Sequence, residues 1–311
     1  MKFTKLIAAV AVVSGLAAPT FADERVSIGT GGTGGLFYVI GAGVANVINS
    51  HMDGVTARAE VTGASVENIR RVAADQITFG FSSSSTLYEA AEGIGAFDGD
   101  KQSVAGMAYL YPAVLQVATI ESTGIKGFED LAGKRVNMGP PGSNAAVLAQ
   151  RVLTAYGVFD PSKVEFLSYN EGVAALTNGT VDATVVLAGA PTAALIDLDA
   201  QDDMVLLSLD KDKVGTLFED YPFYQPYDIP AGTYPDQTEP VSVVNDPATL
   251  FVNADADPDM VEKLTAAIFD NLPELGEVHP QARAINLKDA PNMPIPLHAG
   301  AQAYFDAHKQ D

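Results

Sequence analysis

The 311-residue sequence has no cysteine and no tryptophan, four histidines, and only 18 basic residues against 39 acidic ones. Without cysteine there can be no disulfide, no thiolate nucleophile and no cysteine-ligated zinc. A net charge of −21 argues against nucleic-acid binding, which draws its affinity from a basic face that releases phosphate counterions. It suits an anionic membrane surface no better, and reads as an acidic, well-solvated exterior. His51, His279, His298 and His308 are scattered, so no metal site is expected.

Long apolar runs are scarce too. "LIAAVAVVSGLAA", near the start, is too short to span a bilayer. Lys2 and Lys5 flank it on one side, and Thr20 and Ala22 stand where a signal peptidase prefers small residues. Residues 1–22 are therefore expected to form a signal peptide that is removed on export. Its removal takes two lysines and no acid, so −21 becomes −23. No later run approaches ~18 consecutive apolar residues, and a soluble protein of the bacterial periplasm is expected.

Catalytic patterns are missing as well. There is no G-x-S-x-G elbow and no H-E-x-x-H. "SLDK" at 208–211 stands without its companion motifs, and "SSSS" at 82–85 offers hydroxyls without a nearby base. "DADPD" at 255–259 lacks the glycine and glutamate of a calcium loop, where Met260 and Ala266 stand, so it reads as a helix cap. A protein that is not an enzyme and holds no cofactor is the leading expectation.

What is present is alternation. Strand-like "RVSIGT", "VTARAEV" and "QITFGFS" alternate with helix-like segments over about 34–50, from Ser65, and through Leu87–Ala91. The order begins again with "KRVNMG", a helix over Asn144–Tyr156, "KVEFLSY", a helix near Gly172–Asn178, and "VDATVVLAG". This predicts α/β architecture with mainly parallel sheets. "SVAGMAYLYPAVLQVATI" is long for one strand and is expected to run between two lobes. "YPFYQPYDIPAGTY" reads as an ordered loop, and "DPDMVEKLTAAIFDNL" as a helix with Pro258 in its first turn. A shift of 110 residues lays "VSIGTGGTGG" (26–35) over "VNMGPPGSNA" (136–145), which gives each half a strand, a glycine turn, a hydroxyl and a helix. Helix starts of this kind hold anions.

From residue 29, "GTGGTGGLFY" fits G-x-G-x-x-G with Gly29, Gly31 and Gly34, and Glu60 could serve as the ribose-binding acid of a dinucleotide fold. Against this, residues 1–22 contain no twin arginine, and the second half carries "GPPGSN", which is no dinucleotide fingerprint. The loop is better matched to a smaller solute. The alternatives kept open are an exported hydrolase or nucleotide-dependent oxidoreductase that uses the glycine-rich loop, and a surface or adhesion protein.

"IGTGGTGGLFYVIGAGVANVIN", "VTGASVENIRRVAADQITFGFSSSSTLYEA", "LAGKRVNMGPPGS", "NGTVDATVVLAGAP", "IPAGTYPDQ" and "PLHAGAQAYF" follow in an order that resembles the TAXI family of solute-binding proteins, the receptors of one class of TRAP transporters. The resemblance spans nearly all of the mature chain. It implies a two-lobed type II periplasmic binding protein, with lobe 1 over 23–112 plus 245–311, lobe 2 over 113–244, and the ligand in the cleft between them. It also implies a monomer that delivers a small anionic solute, glutamate or dicarboxylate-like, to TRAP membrane permease subunits. Carried over by motif, Thr30, Thr33, Gly34, Tyr38, Ser65, Asn68, Ser83, Ser84 and Ser85 line the cleft from lobe 1. Ser143, Asn144, Gly189 and Pro191 line it from lobe 2. Two departures bear on the ligand. The family's G-S-G-T reads Gly142-Ser143-Asn144-Ala145 here, and its usual glutamine is Ser83. With a charge of −23 overall, attraction for an anion must be local: helix starts behind Thr33, Ser65 and Ser143, assisted by at most one arginine, Arg58, while Arg151 reads as a surface charge.

Overall fold

The computed structural model describes residues 24–221 and 223–309; the signal-peptide reading lies outside them. β1 (Glu24–Gly29) leads through the glycine loop into α1 (Leu36–His51). β2 (Val55–Glu60), α2 (Ser65–Ala73), β3 (Phe79–Ser83), α3 (Ser84–Glu92) and β4 (Val104–Tyr111) follow. The next run is β5 (Val114–Ile120), β6 (Val136–Asn137), α4 (Asn144–Ala155), β7 (Val164–Glu165), α5 (Tyr169–Thr177) and β8 (Ala183–Ala188). It continues through α6 (Ala193–Asp199), β9 (Met204–Leu206), α7 (Gly215–Asp220), β10 (Gln225–Ile229) and β11 (Val241–Asn245). β12 (Ala248–Asn253), α8 (Pro258–Phe269), α9 (Leu272–Val278) and α10 (Ala299–Ala307) end the chain.

Two sheets result. One has the order β2-β1-β3-β12-β4; the other runs β10-β11-β5-β8-β6-β7, with β9 also on β5. The chain passes from the first sheet to the second between Tyr111 and Val114, and returns between Asn245 and Ala248. The Asp246 N–H donates to the Ala113 carbonyl at 2.8 Å, which ties the two crossings together.

The expectation of mainly parallel sheets needs correction. β1 is parallel to β2 and β3, and β6 to β7 and β8. β12 is antiparallel to β3 and β4, β5 is antiparallel to β8, β9 and β11, and β10 to β11. The cause is topological. β5 and β12 enter their sheets from the crossings, so they run away from the interlobe face toward which β3, β4, β8 and β11 point. A second correction concerns "YPFYQPYDIPAGTY", which contains β10 rather than being all loop. Pro226 is tolerated there because β10 is an edge strand.

Helices pack against these sheets, and one buried apolar cluster runs from the first lobe into the second, while another lies within residues 115–244. α1 buries Ile40, Val44 and Ile48 at helical spacing, and α4 does the same with Ala145, Leu148, Ala149 and Val152. Each such Leu or Val contributes about 1.5–3 kcal/mol by leaving water. α4 ends at Gly157, whose φ of +70° is the left-handed conformation that closes a helix. β5 and β8 are buried along their whole lengths, as central strands covered on both faces are. Among the described residues no helix is long and apolar enough to cross a membrane.

Candidate functional site

The loops after β1, β2, β3 and β6 converge where the two sheets face each other. Gly31, Gly32 and the first residues of α1 and α2 form one wall of a cavity of about 30 Å³. Pro140 and the first residues of α4 form the other, with Ser83, Tyr169 and Leu187 between them. The lobes touch here: a Cβ added to Gly34 would overlap Asn170, and one added to Gly35 would lie 3.2 Å from the Tyr169 ring.

Four of the residues named from the sequence line this cavity: Ser65, Ser83, Ser143 and Asn144. Ser65 Oγ accepts the Ser83 N–H at 3.0 Å. Ser143 Oγ donates to the Pro140 carbonyl at 2.7 Å. Asn144 Nδ2 donates to Ser85 Oγ at 3.0 Å and to the Asp246 carboxylate. Ser85 is fully buried behind Asn144, its N–H and hydroxyl both given to Asp246.

The other named residues have different surroundings. Thr30 is fully buried and its hydroxyl donates to the Glu60 carbonyl at 2.6 Å. Asn68 Nδ2 donates to the carbonyls of Thr30 and Phe81, while its Oδ1 accepts the Thr62 hydroxyl. Both side chains brace the ends of β1 and β3. Tyr38 is half-buried outside the lining. Ser84 faces a separate groove with Tyr109, Phe223 and Pro247. Gly189 packs between Leu36 and Gln281, and Pro191 follows a cis peptide bond; neither lines the cavity, although Leu187, near the end of β8 just before them, does.

Three readings of helix starts and arginines are corrected. Thr33 is exposed and caps nothing: a turn closed by the Gly35 N–H on the Gly32 carbonyl occupies 32–35, so Gly35 is the N-cap of α1. Ser65 is the first helical residue, and Ala64, with φ +70°, is the cap. Arg151 is not a free surface charge. Its side chain, 16% exposed, pairs with Glu89 of the other lobe at 2.5 Å and donates to Tyr224 at 2.6 Å. Its guanidinium lies 4.0 Å from the centre of the Tyr221 ring. Arg58 is exposed and pairs with Glu60.

Tyr169 and Asp246 did not stand out in the sequence. Burial pushes the Tyr169 phenol up to about 12; its hydroxyl donates to the Leu187 carbonyl at 3.0 Å and accepts the Leu187 N–H at 3.2 Å. The Asp246 carboxyl is raised to about 7, mainly by burial, against the lowering effect of its bonds from Ser85 and Asn144. The signal for it was an acid alone between two apolar strands, in "VSVVNDPATLFV".

A family model described as the NMT1-like family matches residues 28–307. A structure described as that of a periplasmic transporter superposes with a TM-score of 0.57 at 14% identity, over 94% of this chain and 93% of the other. A protein from Bordetella bronchiseptica RB50 gives 0.53 at 17% identity, over 91% and 80%. A putative L-cystine ABC transporter from Listeria monocytogenes gives 0.50 at 13%, over 85% and 98%. At these identities the likeness is one of fold, the two-lobed α/β architecture of periplasmic binding proteins.

Proposed function

The chain belongs to the NMT1-like family, and from that premise we propose that it is the periplasmic solute receptor of a TRAP-type transporter, without catalytic activity. It captures a small carboxylate between a lobe of residues 23–112 plus 245–311 and a lobe of residues 113–244, and hands it to the membrane permease. The observation that carries this reading is the cavity itself: helix starts from both lobes surround it, and no charged side chain is among its described lining residues. The motif-by-motif resemblance to TAXI receptors supports the choice of transporter class.

A thermal-shift screen against small acids, amino acids and nucleotides tests it. A ligand at 100 times its dissociation constant adds ~2.7 kcal/mol of stability, a shift of several degrees for a chain of this size. A shift with NAD and none with small acids would overturn the receptor in favour of a nucleotide-dependent enzyme.

Closure of the lobes is then the functional event. Gly189 of lobe 2 lies against Leu36 and Gln281 of lobe 1, where an added Cβ would meet Gln281 Cγ at 2.8 Å. Gly189→Val is expected to hold the lobes apart and leave the solution radius of gyration unchanged by ligand. The wild-type radius should fall on saturation. Equal compaction of both proteins would show that this contact does not limit closure.

A further inference from the structure

The capping of the helices is uneven, in a way that bears on what the cavity holds. Among the helices of eight or more residues, α5, α8 and α10 have side-chain caps from Ser168, Asp257 and His298. α1, α2, α3 and α4 have none, and the starts of all four meet the cavity, α3 through Ser83, as does that of the capped α5 through Tyr169. α2 carries Glu67 in its first turn, whereas α1, α3 and α4 have no acid there. The first N–H groups of α3 are taken by the Pro247 carbonyl and the Asp246 carboxylate, which leaves α1 and α4 as two buried helix starts with a field of roughly half a positive charge each.

Two polar atoms at the same place lack partners. Ser83 is 1% exposed and its hydroxyl makes no hydrogen bond among the described residues. Asn144 is 2% exposed; its Nδ2 is committed to Ser85 and Asp246, and its Oδ1 accepts nothing among the described residues. Both residues line the cavity. Neither atom is wholly enclosed by the protein, so each is open to a ligand atom, a hydrogen-bond acceptor at Ser83 Oγ and a donor at Asn144 Oδ1.

We infer that the solute is a short monoanion without an ammonium group, a two- to four-carbon 2-hydroxy acid whose carboxylate meets Ser83 and the helix starts and whose hydroxyl donates to Asn144 Oδ1. The inference rests on the receptor reading above. It narrows the small carboxylate to something other than the glutamate or dicarboxylate that the family resemblance implies. An α-ammonium needs a carboxylate partner, and no acidic side chain lines the cavity. The Asp246 carboxylate is shielded behind Asn144 with both oxygens occupied by Ser85 and Asn144, and that of Glu67 is held by the Gly63 N–H and Arg71. The helix starts also repel a cation, and an unpaired buried charge is heavily penalised. A second carboxylate fares no better, because no arginine or lysine is among the described lining residues. Its remaining surface, from Leu36, Phe37, Tyr169 and Leu187, suits a short apolar tail. Its volume of about 30 Å³ is a few times the ~10–15 Å³ that admits one water.

Isothermal titration of the protein with propionate, lactate, alanine, glutamate and succinate decides the matter. Lactate should bind at least ~100-fold more tightly than alanine, which matches it in size and carries an ammonium in place of its hydroxyl. Alanine, glutamate or succinate binding within tenfold of the better monoanion overturns the inference and leaves the receptor reading standing. Binding by none of the five also overturns it; the receptor reading falls with it only if the wider thermal-shift screen finds no solute either. Ser83→Ala should weaken binding of the better monoanion about tenfold and leave the unfolding temperature of the unliganded protein unchanged, since that hydroxyl has no protein partner. Wild-type affinity in this variant would count against the monoanion's contact with Ser83, and so against the inference.

Discussion

Arg151→Ala is expected to lower the stability of the closed form by about 3–5 kcal/mol, the cost of leaving a buried charge without its partner. Arg151 projects from α4 in one lobe and Glu89 from α3 in the other. The Glu89 side chain is only 4% exposed. Truncating the arginine strands that carboxylate and also removes the packing on Tyr221 and the hydrogen bond to Tyr224. The molecule has an escape that a single-lobed protein lacks: it can open and hydrate Glu89. The variant should therefore show a larger radius of gyration without ligand, together with weaker solute binding, because closure must now bury an unpaired charge. Glu89→Leu combined with Arg151→Met should recover most of the loss, as apolar replacements of buried ion pairs commonly do. Small-angle scattering and thermal unfolding check this. A single variant that scatters and melts like wild type would show that the pair does not hold the lobes together.

The contrast with the surface reading of Arg151 shows where sequence patterns stop. Periodicity is local, so the helices over 36–51, 144–155 and 258–269 were legible from the spacing of apolar residues. α8 was legible down to Pro258 in its first turn. The break in "SVAGMAYLYPAVLQVATI" was legible because fifteen or more extended residues are too long for one strand. Strand direction was not. Whether β5 and β12 run with or against their neighbours depends on which end of the sheet the chain enters, and that follows from a topology no single segment encodes.

The site divides in the same way. Glycines and hydroxyls at helix starts can be read from a short stretch, which is how Ser65, Ser83, Ser143 and Asn144 came to be named. Which of those hydroxyls is already engaged by the protein cannot be read so. Ser143 looks in sequence like a donor to an anion, yet its proton goes to Pro140, while Ser83 is the one left free. Thr30 and Asn68 have the residue types of a binding site and spend their hydrogen bonds on carbonyls at the strand ends. Contacts between residues 62 and 161 positions apart join Glu89 to Arg151 across the lobes and Ser85 to Asp246 between distant parts of one lobe, and no short stretch of sequence encodes either.

Asp246 should make the protein less stable as the pH rises from about 4 to 7. Its backbone joins the two crossings, and its carboxyl is buried against the Ser85 amide and hydroxyl and the Asn144 amide, with Glu89 and Tyr224 nearby. None of these groups carries a positive charge, and burial raises its pKa to about 7, against ~3.9 in an unfolded chain. The folded state therefore holds a proton that the unfolded state has already released. Its contribution to stability is complete below pH ~4 and is lost as pH rises through 7, in total ~4 kcal/mol at ~1.4 kcal/mol per pH unit. Surface acids such as Glu60 and Asp182, held low chiefly by hydrogen bonds from Arg71 and Arg135, oppose this at more acidic pH. The test is accordingly the difference between wild type and Asp246→Asn. In the variant the carbonyl oxygen of the substituted side chain can still accept from the Ser85 N–H, and the Asn144 amide must turn over to offer Oδ1 instead of Nδ2. Urea unfolding at pH 4.5 and 7.5 should show wild type losing stability relative to Asp246→Asn as pH rises, with the variant the more stable at pH 7.5. Parallel curves for the two proteins would mean that Asp246 is ionised throughout and that its three hydrogen bonds outweigh its burial.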